Sequence, residues 1–271
     1  MSCKIAFICP THKEGELRDY TISSVRTFFR TTASGTAIIV DDASPDWEAT
    51  FEDEFKSLAK FPGQQCIVHR YEEWGGLTRS WNQGLRLARE LNCDYAICGN
   101  NDIIFPKNWY QSLLHALNNG YHLVGPLSNA PGVSNKVQRV WQHFPAYKVS
   151  DRLPLIDAVQ AYLSHEYMGV VIESAINGFF QMAKTSTWWE GCFSDRDVYC
   201  PVNEFNSKGA RNPTPLMTLN EDELQGRWQR KGFKVAVCLA SFIFHYRAVT
   251  RGDRYKTRGG QWFRKEGQML S

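Results

Sequence analysis

The sequence lacks the short motifs that are typical of zinc knuckles and of glycine-rich nucleotide-binding loops. Its eight cysteines include no Cys-x-x-Cys pair, which argues against a zinc knuckle or a thioredoxin-like site. Several of them lie in apolar segments, where a free thiol packs like a small hydrophobic side chain, so we expect a reducing compartment. No Gly-x-Gly-x-x-Gly follows the first apolar segment and no Walker lysine loop occurs, which excludes the usual glycine-rich phosphate cradles.

Long apolar runs and a large excess of one charge are also missing. The longest apolar run, residues 235–244, is far shorter than the roughly 20 residues of a membrane span. The net charge is only +3, with 31 basic against 28 acidic residues, so we expect no nucleic-acid partner. We predict a cytoplasmic protein without a signal peptide or transmembrane segment, and the oligomeric state stays open.

The first half of the sequence alternates between two hydrophobic patterns. Short apolar runs predict buried strands over residues 5–9, 36–40, 66–68 and 95–98. Apolar residues at helical spacing predict helices over residues 17–29, 47–59, 77–91 and 109–117. This alternation predicts an α/β fold, a three-layer α/β/α sandwich with a mostly parallel central sheet.

The second half is less regular. Residues 126–154 and 194–218 contain several prolines and predict two long loops, which in compact domains are usually functional or disordered. The remaining patterns predict helices over residues 155–163 and 221–231, and strands over residues 179–182, 234–239 and 242–245. Since there is no internal repeat and no clear boundary, we predict one domain over residues 1–271.

Polar residues follow the predicted strands where each strand ends. They are Pro10-Thr11-His12, Asp41-Asp42, Asn100-Asn101-Asp102 and His245. Parallel sheets bind ligands beyond the carboxyl ends of their strands, so these residues are the candidates for chemistry. Hard oxygen ligands at Asn100-Asn101-Asp102 favour a divalent cation carrying phosphates, which would neutralise a diphosphate in the absence of a glycine-rich loop.

Five segments, in this order, resemble motifs of family 2 glycosyltransferases with the GT-A fold. Residues 38–46 are similar to the family's Val-Asp-Asp-Gly-Ser-x-Asp segment, and residues 76–84 to its Gly-x5-Asn-x-Gly helix start. Asn100-Asn101-Asp102 resembles a variant of the Asp-x-Asp motif, and residues 178–182 resemble the acceptor-side strand. Glu221-Asp222, with the strand that ends at His245, resembles the family's Glu-Asp helix and its following strand.

The resemblance implies an inverting enzyme that moves a sugar from a nucleoside diphosphate sugar, most plausibly a UDP-sugar, to a hydroxyl of a glycan or other acceptor. It implies that Asp102 and His245 hold Mn²⁺ or Mg²⁺. The implied donor-binding residues are Pro10, Thr11, Asp41, Asp42, Gly76, Arg79, Asn82, Asn100, Asn101 and Arg247. Arg79 is included because Trp81 stands where many family members have an arginine.

The resemblance also implies that Asp222 is the catalytic base, since inverting transfer needs one carboxylate to take the acceptor proton. Each of these roles has a structural alternative. Asp222 could belong to an ordinary acidic first turn, Asp41-Asp42 to a turn and helix cap, and His245 to the surface or core. Trp188-Trp189 could stack on a sugar or lie in the core.

Within the single domain, the resemblance implies a nucleotide-binding half over residues 1–125 and an acceptor-binding half over residues 126–246. A basic tail follows, with seven basic and two acidic residues from Arg247 onward. It predicts a solvated tail or a flap over the donor phosphates, with peripheral membrane contact as a further expectation. Two other functions stay open, a sugar nucleotidyltransferase and a glycan-binding protein on an inactive transferase scaffold.

Overall fold

The computed structural model describes residues 3–131, 136–201 and 220–246, in which strands and helices alternate. The strands are β1 (Ile5–Thr11), β2 (Gly35–Asp41), β3 (Gln65–Arg70), β4 (Tyr95–Gly99), β5 (Ile103–Ile104), β6 (Leu123–Leu127), β7 (Val171–Glu173), β8 (Phe180–Lys184), β9 (Val235–Phe242) and β10 (Phe244–His245). The α-helices are α1 (Glu14–Thr31), α2 (Thr50–Lys56), α3 (Leu77–Glu90), α4 (Gln111–Asn118), α5 (Leu153–Glu166), α6 (Thr185–Glu190) and α7 (Asn220–Arg230), and a 3-10 turn spans Val140–Gln142.

Eight strands form the central sheet in the order β3-β2-β1-β4-β8-β6-β9-β7. Strands β3, β2, β1 and β4 are mutually parallel, and β6 is parallel to β9, whereas β8 and β7 run antiparallel to their neighbours. Strands β5 and β10 pair separately as a two-stranded antiparallel sheet. The mostly parallel sheet confirms the predicted fold class.

Alternate residues of the central strands enter two separate cores. In β1, Ala6 and Ile8 face a core that contains side chains of α3, α5 and α7. Phe7 and Cys9 face the opposite core, with side chains of α1, α2 and α4. Because strand side chains alternate between faces, this partition gives the three layers of the predicted sandwich.

One glycine lets a helix approach the sheet closely. A Cβ atom added to Gly84 on α3 would lie 2.1 Å from Cγ2 of Ile8 on β1. Any larger residue would push α3 away from the sheet. The position of α3 matters for the site, because the residues before its first turn contact the end of β2.

The sequence patterns missed β5, β6, β7 and α6. Strand β6 contains Gly125 and Pro126, which are typical of turns, yet it is fully buried between β8 and β9. Helix α6 has only six residues, too few for a periodic pattern. Its Trp188 is buried and donates its indole N–H to the carbonyl of Ala96 at 3.0 Å, so this residue belongs to the core.

None of the helices in the described part of the chain is long and apolar enough to cross a membrane.

Candidate active site

Two pairing patterns bring the predicted polar residues together. Strands β1, β2 and β4 are parallel neighbours, so Thr11, Asp41 and Asn100 lie at the same edge of the sheet. The short β5–β10 pairing sets His245 opposite Ile103, directly after Asp102. Residues almost 150 positions apart in the sequence therefore meet at this edge.

Asp102, His245 and Asn100 form one cluster. Nε2 of His245 lies 3.2 Å from Oδ1 of Asp102 and 3.1 Å from Nδ2 of Asn100. Asp102 and His245 are only 3% and 5% exposed, so this cluster is largely withdrawn from water. The side chain of Asn101 points the other way, toward Thr11 and Thr21.

His245 is held rigidly by its neighbours. Its backbone N–H and carbonyl bond the side-chain amide of Asn129 at 2.8 Å and 2.9 Å. Nδ1 lies 2.9 Å from the carbonyl of Ala130, so Nδ1 carries the proton and donates. Nε2 on the other side of the ring lies within reach of both Asp102 and the amide of Asn100, and the ring of Phe179 stacks on the imidazole at 5.2 Å.

The cluster fits a divalent cation. Nε2 of His245 and Oδ1 of Asp102, which lie 3.2 Å apart, are both atoms that can ligate one cation. Imidazole and carboxylate are suitable ligands for Mn²⁺. Within the described residues, Asp102 and His245 do not belong to a group of three or more His, Cys, Asp or Glu side chains that could hold a metal. The remaining ligands would therefore be an amide, water or phosphate oxygens.

The side chain of Asn101 belongs to a buried hydrogen-bond network with Thr11, Thr21 and Glu14. Nδ2 of Asn101 donates to Oγ1 of Thr21 at 3.1 Å and to Oγ1 of Thr11 at 3.4 Å. Both hydroxyls donate in turn to Oε2 of Glu14, which is fully buried. Desolvation, which outweighs these hydrogen bonds, raises the pKa of Glu14 from 4.5 to about 7. The sequence patterns gave no indication of Glu14.

The Asp41-Asp42 pair is saturated with donors from the protein. Asp42 accepts backbone N–H bonds from Gly75 at 3.0 Å and Gly76 at 2.6 Å, and its Oδ1 pairs with Arg79 at 2.5 Å. Asp41 accepts the N–H and hydroxyl of Ser44 and pairs with Arg70 at 3.2 Å. Burial raises the pKa of Asp41, although the bonds from Ser44 and Arg70 oppose the shift.

These partners show that both carboxylates have a structural role, as the alternative of a turn and helix cap predicts. Gly76 has φ +86° and its N–H is committed to Asp42. Arg79 also donates to the carbonyl of Glu73 and lies 3.7 Å over the ring of Tyr71. Donor contacts from Asp41, Asp42, Gly76 and Arg79 therefore stay predictions, and any such contact would be additional to the bonds within the protein.

Other residues that were predicted to bind the nucleotide-sugar donor are buried in the protein. Asn82 is 2% exposed, and its amide accepts from the N–H groups of Val198 and Tyr199 and donates to the Tyr199 carbonyl. It therefore ties α3 to residues 198–199. Pro10 is buried within β1 opposite Val40, and Trp81 packs against Tyr199 with a ring separation of 5.0 Å. Arg247 lies outside the described residues, as do most of the predicted loop at 194–218 and the rest of the basic tail.

Asp222 lies in the first turn of α7, on the wall of an open cleft of about 400 Å³. The cleft is lined by Lys136, Val137, Ser174, Ala175, Ile176, Asn177, Glu221 and Asp222. A Cβ atom at Gly178 would lie 3.1 Å from the carboxylate of Glu221, so α7 begins directly against the segment before β8. The next residue, Phe179, stacks on His245 and accepts the backbone N–H of Asn100 at 2.9 Å. The cleft and the Asp102 cluster are therefore linked through consecutive residues.

Comparison with known protein families assigns the chain to one of them. The family model described as glycosyl transferase family 2 matches residues 6–171, more than half of the chain. The chain belongs to glycosyl transferase family 2. This membership confirms the predicted resemblance. No curated protein sequence matches this chain at a significant level.

Solved structures agree on the fold. A crystal structure of GalNAc-T7 with UDP, GalNAc and Mn²⁺ matches with a TM-score of 0.59 and 14% identity, over 90% of this chain and 44% of that one. A crystal structure of S. aureus TarS residues 1–349 matches with a TM-score of 0.51 and 11% identity, over 89% and 60%. The chain thus spans less than half of the first protein and three fifths of the second. At these identities the likeness concerns the GT-A fold alone.

Proposed function

We propose that this glycosyltransferase is an inverting, metal-dependent enzyme that transfers a sugar from a nucleoside diphosphate sugar to a hydroxyl of a glycan or other acceptor. A UDP-sugar is the expected donor. The observation that carries the proposal is the buried cluster at the carboxyl edge of the sheet, in which Nε2 of His245 lies 3.2 Å from Oδ1 of Asp102. Both atoms can ligate a divalent cation on a diphosphate.

Asp102 and His245 would hold the metal, with Asn100 beside them. When bound, a divalent cation neutralises the negative charge that develops on the departing diphosphate. Neighbouring residues hold Asp102 and His245 in position before any ligand binds. Ala130 fixes the imidazole tautomer, Asn129 fixes the backbone of His245, and Asn101 anchors the strand end from behind. Preorganised groups of this kind need no rearrangement during the reaction.

Asp222 is the proposed catalytic base. Its exposed position in the cleft wall leaves the carboxylate accessible to an acceptor hydroxyl. The acceptor oxygen attacks the anomeric carbon while its proton passes to Asp222. The bond from that carbon to the diphosphate oxygen breaks, and its electron pair leaves with the nucleoside diphosphate. One displacement of this kind inverts the anomeric configuration.

The test is turnover of a panel of nucleotide sugars with and without Mn²⁺, comparing wild type with Asp222→Asn. We expect the substitution to lower kcat by at least about a hundredfold while the affinity for the donor is kept, because the base acts only on the acceptor. Asp157→Asn is the matched control, since Asp157 pairs with Arg30 at 3.0 Å on another surface. Full turnover by Asp222→Asn would overturn the assignment of the base.

The same panel separates the alternatives. Nucleotide binding without any sugar transfer or donor hydrolysis would favour a binding protein on a transferase scaffold. Release of pyrophosphate from a nucleoside triphosphate and a sugar phosphate would favour a nucleotidyltransferase. The absence of a glycine-rich loop after β1, where the sequence reads Pro10-Thr11-His12-Lys13, argues against the second.

A further inference from the structure

Trp74 differs from the other tryptophans in the described part of the chain. It is 49% exposed, and among the described residues it has no stacked ring and no cation over its face. Each of the others contacts a ring or a cation, namely Trp47, Trp81, Trp109, Trp141, Trp188, Trp189 and Trp228. An indole is a large apolar surface, and leaving half of it in water without a partner favours a ligand as the missing contact.

The loop that carries Trp74 is fixed. The carbonyl of Glu73, just before it, accepts a bond from Arg79. The backbone N–H groups of Gly75 and Gly76, just after it, donate to the carboxylate of Asp42. Trp74 is therefore held between anchored neighbours, and the loop can present the ring without the entropy cost of ordering it on binding.

The position of the loop points to the donor. It follows β3, whose last residue, Arg70, is in register with Asp41 on β2, so Trp74 lies beyond the same edge as Asp102. Nδ1 of His12, which follows β1, lies 2.8 Å from the backbone carbonyl of Asp42. His12 and the two residues that follow Trp74 therefore all contact Asp42, which places an imidazole and the loop that carries the exposed indole at the same strand end.

We propose that Trp74 provides a stacking face for the nucleobase of the donor. This inference rests on the proposed function, because it deepens the description of the same donor site. Stacking uses the face that every base has, so Trp74 contributes affinity without selecting among bases. Choice of base is left to hydrogen bonds, for which the residues at the ends of β1 and β2 are the candidates.

The test is titration of UDP, GDP, dTDP and CDP, and of pyrophosphate as a probe without a base, each in the presence of Mn²⁺. For Trp74→Ala we expect about a tenfold loss of affinity for the preferred nucleotide, as stacking on one side chain typically contributes, and unchanged affinity for pyrophosphate. Trp74→Phe should retain most of the affinity. It should also lose the fluorescence quenching that the nucleotide causes in the wild type.

Phe61→Ala is the matched control. Phe61 is 66% exposed, but it precedes β3 and so lies at the opposite edge of the same strand. Unchanged nucleotide affinity of Trp74→Ala would overturn this inference alone. Equal losses for nucleotide and pyrophosphate would also overturn it, since they would mean that the loop had lost its shape. Failure of the wild type to bind any nucleotide would overturn the proposed function together with this inference.

Discussion

The ends of β2 and β4 carry similar polar residues but treat them in opposite ways. At the end of β2, Asp42 accepts two backbone N–H bonds and an arginine, so its oxygens are satisfied within the protein. At the end of β4, the carboxylate of Asp102 faces the imidazole of His245 at 3.2 Å, and no arginine or backbone N–H of the described residues bonds it. Since buried carboxylates normally collect donors, we interpret the end of β4 as the proposed ligand site and the end of β2 as its frame.

The largest effect should come from Asp102. We expect Asp102→Asn to lower sugar transfer about a thousandfold, equivalent to about 4 kcal/mol of barrier, because the substitution removes the charge that would hold the cation on the diphosphate. The measurement is kcat/KM at saturating Mn²⁺, with thermal unfolding alongside. A variant that unfolds early, or one that keeps its activity, would erase the distinction between the two strand ends.

The second effect concerns Glu14, which lies beneath both strand ends. Its pKa is raised from 4.5 to about 7 in the folded protein by burial, so the folded state holds a proton that the unfolded state releases between these values. The contribution of Glu14 to stability is therefore fully present below pH 4.5 and falls by about 3 kcal/mol as the pH rises to 7. Glu14→Gln should remove this loss.

Urea unfolding of the wild type and Glu14→Gln at pH 5 and pH 8 measures it. Asp41 also has a raised pKa and contributes in the same direction, and its charge raises the pKa of Glu14, so the difference between the two proteins reports Glu14 together with its interaction with Asp41. We expect the variant to gain stability relative to the wild type at pH 8. Parallel pH dependences in the two proteins would show that Glu14 is already ionised in the fold.

The third effect concerns Asp42 and is a loss of stability rather than of activity. Asp42→Asn should reduce the free energy of unfolding by about 2 kcal/mol, because the new amide nitrogen would face an N–H donor that a carboxylate oxygen accepts in the wild type. Asp102→Asn should cost much less stability. The two variants, compared by urea unfolding, should therefore rank in opposite order for stability and for activity. If Asp42→Asn proves as stable as the wild type, its carboxylate is not part of the frame.

The smallest effect should come from Arg70. Its side chain is 49% exposed while its partner Asp41 is buried, so solvent screening limits the contribution of the pair. Arg70→Gln should reduce stability by less than about 1 kcal/mol, and it should raise the pKa of Asp41 further. Thermal unfolding at low and high salt is the measurement. A larger loss that persists in high salt would mean that Arg70 stabilises the β2 end by packing.

Much of the fold could be predicted because its first half has regular periodicity. Strands β1 to β4 and the helices between them have apolar runs long enough to distinguish the two patterns. The second half was harder, since β6 is a buried strand with Gly125 and Pro126 in it. No local rule indicates that such a segment will lie between two other strands.

The site could be predicted in part for a similar reason. Strand ends are visible in the sequence, and so Asp102 and His245 could be named. Their supports could not, because Asn129 and Ala130 hold His245 through contacts 115 and 116 positions apart in sequence. Asn82 shows the opposite case, a residue expected at the donor whose amide binds the backbone at Val198 and Tyr199.

The most direct test of the account is calorimetric titration of UDP into the wild type and Asp102→Asn, each with and without Mn²⁺. We predict that Mn²⁺ strengthens binding to the wild type by at least about tenfold and has no effect on the variant, because in the proposed site the metal would be shared between Asp102 and the diphosphate. Binding of UDP to the wild type that is indifferent to Mn²⁺, or metal-dependent binding that survives in Asp102→Asn, would contradict the assignment of the β4 end as the metal site.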